Sequence, residues 1–305
     1  PATLASFVGA GLLIGLGKNR LLLGLQLFLN GLNIILDIIF AGGLGMGASG
    51  IALGTVIAEW IAVLVGTWII YRSLRVNLGS NEAFWSLQRI IDREKVKVAV
   101  AANLDIMIRT LLLVFSFAFF TNQSAQFGDV ALAANHILLQ IISFAAFFLD
   151  GYAFVAEALV GKAYGANDRA AFKKAVKRTS ELAVVSGILL ALSVLMFGSL
   201  FVSALTDIES VRGYASGMSY VAAIYILLSV AAFQLDGIFI GVSFTRQMRN
   251  AAIQSLAVFL LMWWLLIDDF AVTGLWWAMI IYVVARALCL LRYYPAIFSG
   301  GQKLS

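Results

Sequence analysis

The chain has 305 residues, 62% of them hydrophobic and only 12% charged, with a mean hydropathy of +0.96. Soluble domains run near 45–50% apolar and about a quarter charged, so a soluble globular fold is excluded. A single cysteine, Cys289, excludes an intramolecular disulfide, and a single histidine, His136, excludes a His/Cys metal cluster.

Taken in order, the chain opens at Pro1 with neither an initiator Met nor the basic n-region of a signal peptide, which suggests a fragment. An apolar run over 2–16 is short for a span, as though cut at its outer end. Eight longer runs follow at 21–42, 48–71, 97–121, 131–157, 179–202, 214–242, 251–267 and 274–292. A helix crosses a hydrocarbon core of ~30 Å with about 20 apolar residues, so each run is long enough or nearly so. The runs are continuous and lack the alternation of barrel strands. The expectation is an all-α polytopic membrane protein with nine transmembrane helices.

The charges orient these spans. Of the 21 Lys and Arg, 18 fall in alternate connections and the tail, while Arg212 stands alone on the other side. Arg109 and Arg286 lie within spans. The positive-inside rule makes the basic side cytoplasmic and puts the C-terminus there. The opposite connections carry Asp129, Asp207, Glu209, Asp268 and Asp269. The net charge of +5 is accounted for by topology and anionic headgroups, and no motif organises it for nucleic acid.

An internal repeat is also legible. Gly11 to Gly15 with Arg20 recurs as Gly237 to Gly241 with Arg246, at an offset of 226, and Ser49-Gly50-Ile51 aligns with Thr273-Gly274-Leu275 after a two-residue slip. The copies lie six spans apart and share orientation, which describes a parallel repeat. The expected organisation is a partial first lobe over 1–71, a cytoplasmic linker over 72–96, a second lobe over 97–295 and a tail over 296–305. Asn77, Gly79, Ser80 and Asn81 mark the centre of the linker.

Besides Arg286, seven ionisable residues stand out inside the spans: Asp37, Glu59, Asp105, Arg109, Asp150, Glu157 and Asp236. Each costs about 2.5–3.5 kcal/mol at mid-bilayer unless it faces a bundle interior or a wet cavity. Asn33 and Asp37 share a helix face, as do Thr55 and Glu59 on the returning helix. Asp37 and Thr55 lie about 8 and 11 Å below their helix ends, at similar depth. A carboxylate set there beside an amide and a hydroxyl can carry a proton or ligate Na⁺; interhelical hydrogen bonding alone is the alternative.

In the later half, Asp105 and Arg109 are spaced to neutralise one another as a structural ion pair. Asp150 and Asp236, each followed by Gly, lie toward the cytoplasmic ends of two spans. With Gln234 nearby, on a different helix face, they outline a polar cavity, or separate packing roles. His136 and Gln140 sit one turn apart near an outer helix end, and Arg169 to Arg178 reads as an interfacial helix facing anionic headgroups. Trp263-Trp264 and Trp276-Trp277 read as an aromatic belt. The glycine-dense, uncharged stretch 42–50 joins two membrane helices and does not suit a phosphate.

Several stretches resemble the multidrug and toxic compound extrusion (MATE) transporters, within them the DinF-like branch. They are Leu32 to Asp37, Gly50 to Glu59, Asp150 to Gly161 and Asp236 to Gly241, in family order over nearly the whole chain. The resemblance implies helices four to twelve of a twelve-helix, two-lobe fold, with the first three missing. It implies a secondary antiporter that expels lipophilic, often cationic compounds in exchange for H⁺ or Na⁺, and neither an enzyme nor a cofactor protein.

Asn33, Asp37 and Thr55 fall on the first-lobe ion cluster of that branch. Its remaining carboxylate, and a proline invoked in some mechanisms, belong to the family's first helix and have no counterpart here. Asp236 falls on a carboxylate that the NorM-like branch uses for a second-lobe cation site. The implied setting is a monomer in the plasma membrane, with a small lipophilic or cationic substrate and no nucleic acid. Two alternatives are a lipid-linked-oligosaccharide flippase, which needs a more cationic cavity, and an intramembrane aspartyl enzyme acting through Asp150 and Asp236.

Overall fold

The computed structural model describes residues 1–75 and 92–299, and every regular element among them is helical. Most of the expected linker, including Asn77, Gly79, Ser80 and Asn81, lies outside the described residues, as does 300–305 of the expected tail. The chain forms two compact units, Pro1–Asp92 and Arg93–Ser305.

The first unit holds α1 (Ala2–Gly15), α2 (Asn19–Asp37) and α3 (Gly47–Arg75). α2 runs on into a π-helical turn, Ile38–Gly43, so Asp37 occupies the junction where α-helical hydrogen bonding gives way. Wide turns of this kind cost packing and concentrate at functional positions. Gly45 and Gly47 then take positive φ of 66° and 55°, which reverses the chain into α3. Leu25 is the one buried residue of α2, and Leu23, Leu27, Ile34 and Ile35 are exposed, as suits helices whose solvent is hydrocarbon.

The second unit holds α4 (Arg93–Ser124), α5 (Asp129–Gly165), α6 (Arg169–Leu205), α7 (Glu209–Gly217), α8 (Ser219–Gly241), α9 (Thr245–Tyr293) and a short α10 (Ala296–Ser299). α9 is two helices meeting at Ala271, whose φ of 49° and ψ of −128° break the helical path. The chain doubles back there. Phe259 and Tyr282 bring their ring centroids to 5.6 Å, and a Cβ on Gly274 would collide with the Leu266 carbonyl. The two arms correspond to the runs at 251–267 and 274–292. Seven helices are long and apolar enough to cross a membrane, counting α9 once, and α1 is a shorter apolar helix, among the described residues. The protein is an all-α, multi-pass membrane protein.

α8 is the centre of this unit, buried along most of its length against α5, α6 and α9. Gly237 and Gly241 permit that burial. A Cβ on Gly237 would strike the Ala153 carbonyl, and one on Gly241 would lie 2.6 Å from the backbone carbonyl oxygen of Glu157. Gly11 and Gly15, their counterparts in the sequence repeat, meet nothing within 4 Å.

Three expectations change, and the lone outer arginine gains a role. The run at 214–242 is divided, since Met218 separates α7 from α8. The interfacial helix expected at Arg169 to Arg178 is instead the opening of α6. The Asp168 carboxylate caps α6 by accepting from the Ala170 and Ala171 amides at 3.0 and 2.9 Å. Phe172 and Thr179 turn inward and anchor it, leaving Lys173, Lys174, Lys177 and Arg178 exposed. The aromatic belt is also divided. Trp276 is fully buried and donates to Asn135 Oδ1 at 2.9 Å, whereas Trp264 stays 65% exposed. Finally, the lone Arg212 binds the C-terminal carbonyls of α6, Ser203 at 3.1 Å and Thr206 at 2.7 Å, offsetting the helix dipole.

Candidate functional sites

The first site lies between α2 and α3. Asn33 Nδ2 donates to Thr55 Oγ1 at 3.2 Å and, more loosely, to Asp37 Oδ1 at 3.4 Å. Thr55 gives its own proton to the Ile51 carbonyl at 3.0 Å, which leaves the hydroxyl lone pairs free to accept from the Asn33 amide. A Cβ at Gly54 would lie 2.5 Å from Asp37 Oδ1, so only glycine lets α3 approach the carboxylate this closely. All three side chains are half-buried, and every partner of Asp37 seen here is neutral. Glu59 lies one turn beyond Thr55 and accepts from Thr3 Oγ1 at 2.6 Å.

The second site is a cavity of about 560 Å³ inside the second unit. Five charged side chains line it: Arg109 from α4, Asp150 and Glu157 from α5, Asp236 from α8 and Arg286 from α9. Arg109 and Arg286 both bind Asp236, each through one amino nitrogen and both on the same oxygen, Oδ2. The other oxygen, Oδ1, is buried and has no hydrogen-bond partner among the described residues. Asp150 faces the charges of Arg286 and Arg109 without forming a hydrogen bond or ion pair to either.

This arrangement corrects the pairing expected of Asp105 and Arg109. They share a face of α4, but each finds a partner on another helix. Arg109 binds Asp236, while Asp105 accepts from Arg249 Nη1 at 2.6 Å and Thr245 Oγ1 at 3.2 Å. Interhelical pairing brings each of the three guanidiniums into contact with one of the two carboxylates, whereas the i, i+4 pair would leave Arg249 unmatched. Gln234 does not line the cavity; it is buried elsewhere on α8 with both amide atoms unpartnered among the described residues. Asp150 and Asp236 do share the cavity, yet two guanidiniums occupy Asp236, unlike a dyad sharing one proton.

Two arginines of these clusters are not marked by spacing on their own helices: Arg286 lies inside a span, and Arg249 lies in the connection between two apolar runs. An arginine within a span implies a carboxylate within reach, and that signal was present for Arg286.

The chain matches the family model described as MatE over residues 106–265, just over half its length. It is 31% identical over 301 residues to the DNA damage-inducible protein F of Escherichia coli, a match covering 99% of this chain and 64% of that protein. It is 28% identical over 218 residues to Protein DETOXIFICATION 44, chloroplastic, of Arabidopsis thaliana, covering 70% of this chain and 39% of that one. The chain therefore spans less than two thirds of the length of these relatives. Its fold superposes on a crystal structure of MATE in the straight conformation with a TM-score of 0.86 at 18% identity, covering 96% of this chain and 66% of that one. A MATE transporter from Vibrio cholerae gives the same TM-score and identity over 97% and 66%. By its matching core and its DinF-like relative, the chain belongs to the MatE family.

Proposed function

We propose that the protein is a secondary antiporter that exports lipophilic or cationic compounds in exchange for H⁺ or Na⁺, by alternating access of two lobes. The carrying observation is the Asn33–Asp37–Thr55 cluster: a half-buried carboxylate in a membrane helix hairpin, with only neutral groups against it among the described residues. A carboxylate so placed gains most by taking up a cation, since no basic side chain pairs with it among the described residues. Asp37 is the coupling-ion ligand, and Asn33 and Thr55 orient it. Ion binding favours one lobe arrangement and substrate binding the other. The basic connections face the cytoplasm, the C-terminus lies there, and the protein sits in the plasma membrane.

The cavity arginines are the one observation favouring a flippase for an anionic lipid-linked sugar. Three carboxylates line the same cavity as two guanidiniums, and one carboxylate engages both, so the surplus there is acidic.

The test is drug susceptibility in efflux-deficient cells. Asp37→Asn is expected to return resistance to the empty-vector level at unchanged membrane expression. Undiminished resistance would overturn the assignment.

A further inference from the structure

The second unit's cavity has an order of charge that the export reading does not itself require. Gly237 packs against Ala153, which sets the neighbouring Asp236 at the level of Ala153 on α5. Asp150 is three residues before Ala153 and Glu157 four after, so the two acids lie about 4.5 and 6 Å to either side along the helix axis. The cavity wall therefore presents an acid, then the pair of guanidiniums on Asp236, then a second acid.

The guanidiniums are under-used. Each has five N–H donors, and each spends one amino nitrogen on Asp236, with no other hydrogen bond from either among the described residues. Asp150 and Glu157 line the same space without an ion pair among the described residues. Aromatic rings complete it: Phe117, Phe147, Phe154, Phe233 and Tyr225. A cavity of about 560 Å³ suits a drug-sized ligand.

We propose that this cavity receives an aromatic zwitterion, with its oxyanion on Arg109 and Arg286 and its cationic group on Asp150 or Glu157. This deepens the export reading and rests on it for the ligand's role as cargo. A purely cationic ligand meets the two acids but must sit beside the guanidiniums unpaired. A purely anionic one meets the acids. A ligand carrying both charges about one helical turn apart satisfies both and leaves neither guanidinium facing an uncompensated cation.

The experiment is fluorescence anisotropy with purified protein in a maltoside detergent, which has no charge to compete. The probes are rhodamine B, a zwitterion at neutral pH, and its ethyl ester, which is a cation only. Rhodamine B is expected to bind about tenfold more tightly than the ester. Arg109→Gln should bring the two within about twofold, while Arg109→Lys, which keeps the charge, should retain most of the preference. Equal or tighter binding of the ester by the unaltered protein would overturn the proposal, as would failure of both probes to bind. So would a preference that survives Arg109→Gln in protein that elutes as the unaltered protein does. No ion gradient enters this measurement, so the charge preference can fail while Asp37-dependent export stands, and export can fail while the preference stands.

Discussion

Asp37 and Asp236 are both aspartates within membrane helices, and their surroundings are opposite. Asp37 is half-buried and touched by an amide that also holds a hydroxyl, all neutral groups. Asp236 is 5% exposed and carries two guanidiniums on one oxygen. The difference teaches what a buried carboxylate can do. One whose partners are neutral remains the strongest place nearby for a mobile cation. One already neutralised by arginines has tethered cations in that place and serves instead to hold them. By this comparison the proposed exchange of H⁺ or Na⁺ is assigned to Asp37 rather than to Asp236.

The sharpest way to break the comparison is to remove each charge and follow stability. Asp236→Asn strands two guanidiniums in the membrane interior and is expected to cost about 3–5 kcal/mol, read as a large fall in thermal stability in detergent. Asp37→Asn removes a charge from neutral partners and should change stability by less than about 1 kcal/mol. Equal effects at both positions would show that Asp236 is not the anchor of its cluster.

The repeat glycines give a second, smaller contrast. Gly237→Ala forces a methyl group against the Ala153 carbonyl and should cost roughly 1–3 kcal/mol, because backbone cannot yield as a side chain can. Gly11→Ala meets nothing within 4 Å and should stay within about ±0.5 kcal/mol. Differential scanning of the two variants side by side reads this directly.

The smallest expected effect is at Asn33. Asn33→Ala removes the amide that joins Asp37 to Thr55, worth about 0.6 kcal/mol, or about threefold in the apparent affinity for the coupling ion. An ion titration of transport rate measures it, and no change would mean that Asn33 does not orient the carboxylate.

Much of this was legible in the sequence because lipid imposes simple rules. Apolar length placed the helices, including the two arms of α9 on either side of Ala271, and the register of Asn33, Asp37 and Thr55 placed them on facing surfaces. The failures were of pairing. Spacing on one helix offered Asp105 and Arg109 to each other, but in a bundle the competing partners Asp236, Arg249 and Arg286 come from helices far away in sequence. Trp276 misled for a related reason. An indole N–H can sit at an interface or deep in a core, and only the proximity of Asn135 decided for the core. The length of α5 and α6 exceeded the apolar runs because a helix does not stop where hydrocarbon stops; at about 1.5 Å per residue each runs well beyond a ~30 Å core.

The most direct test of where exchange occurs is ion flux in proteoliposomes. Substrate is loaded on one side, and H⁺ and Na⁺ movement is followed with fluorescent indicators for the unaltered protein and for Asp37→Asn. Substrate-driven flux of one of the two ions is expected in the unaltered protein, falling to the level of protein-free vesicles in Asp37→Asn. Flux that persists undiminished in Asp37→Asn would contradict the assignment of coupling to the carboxylate with neutral partners.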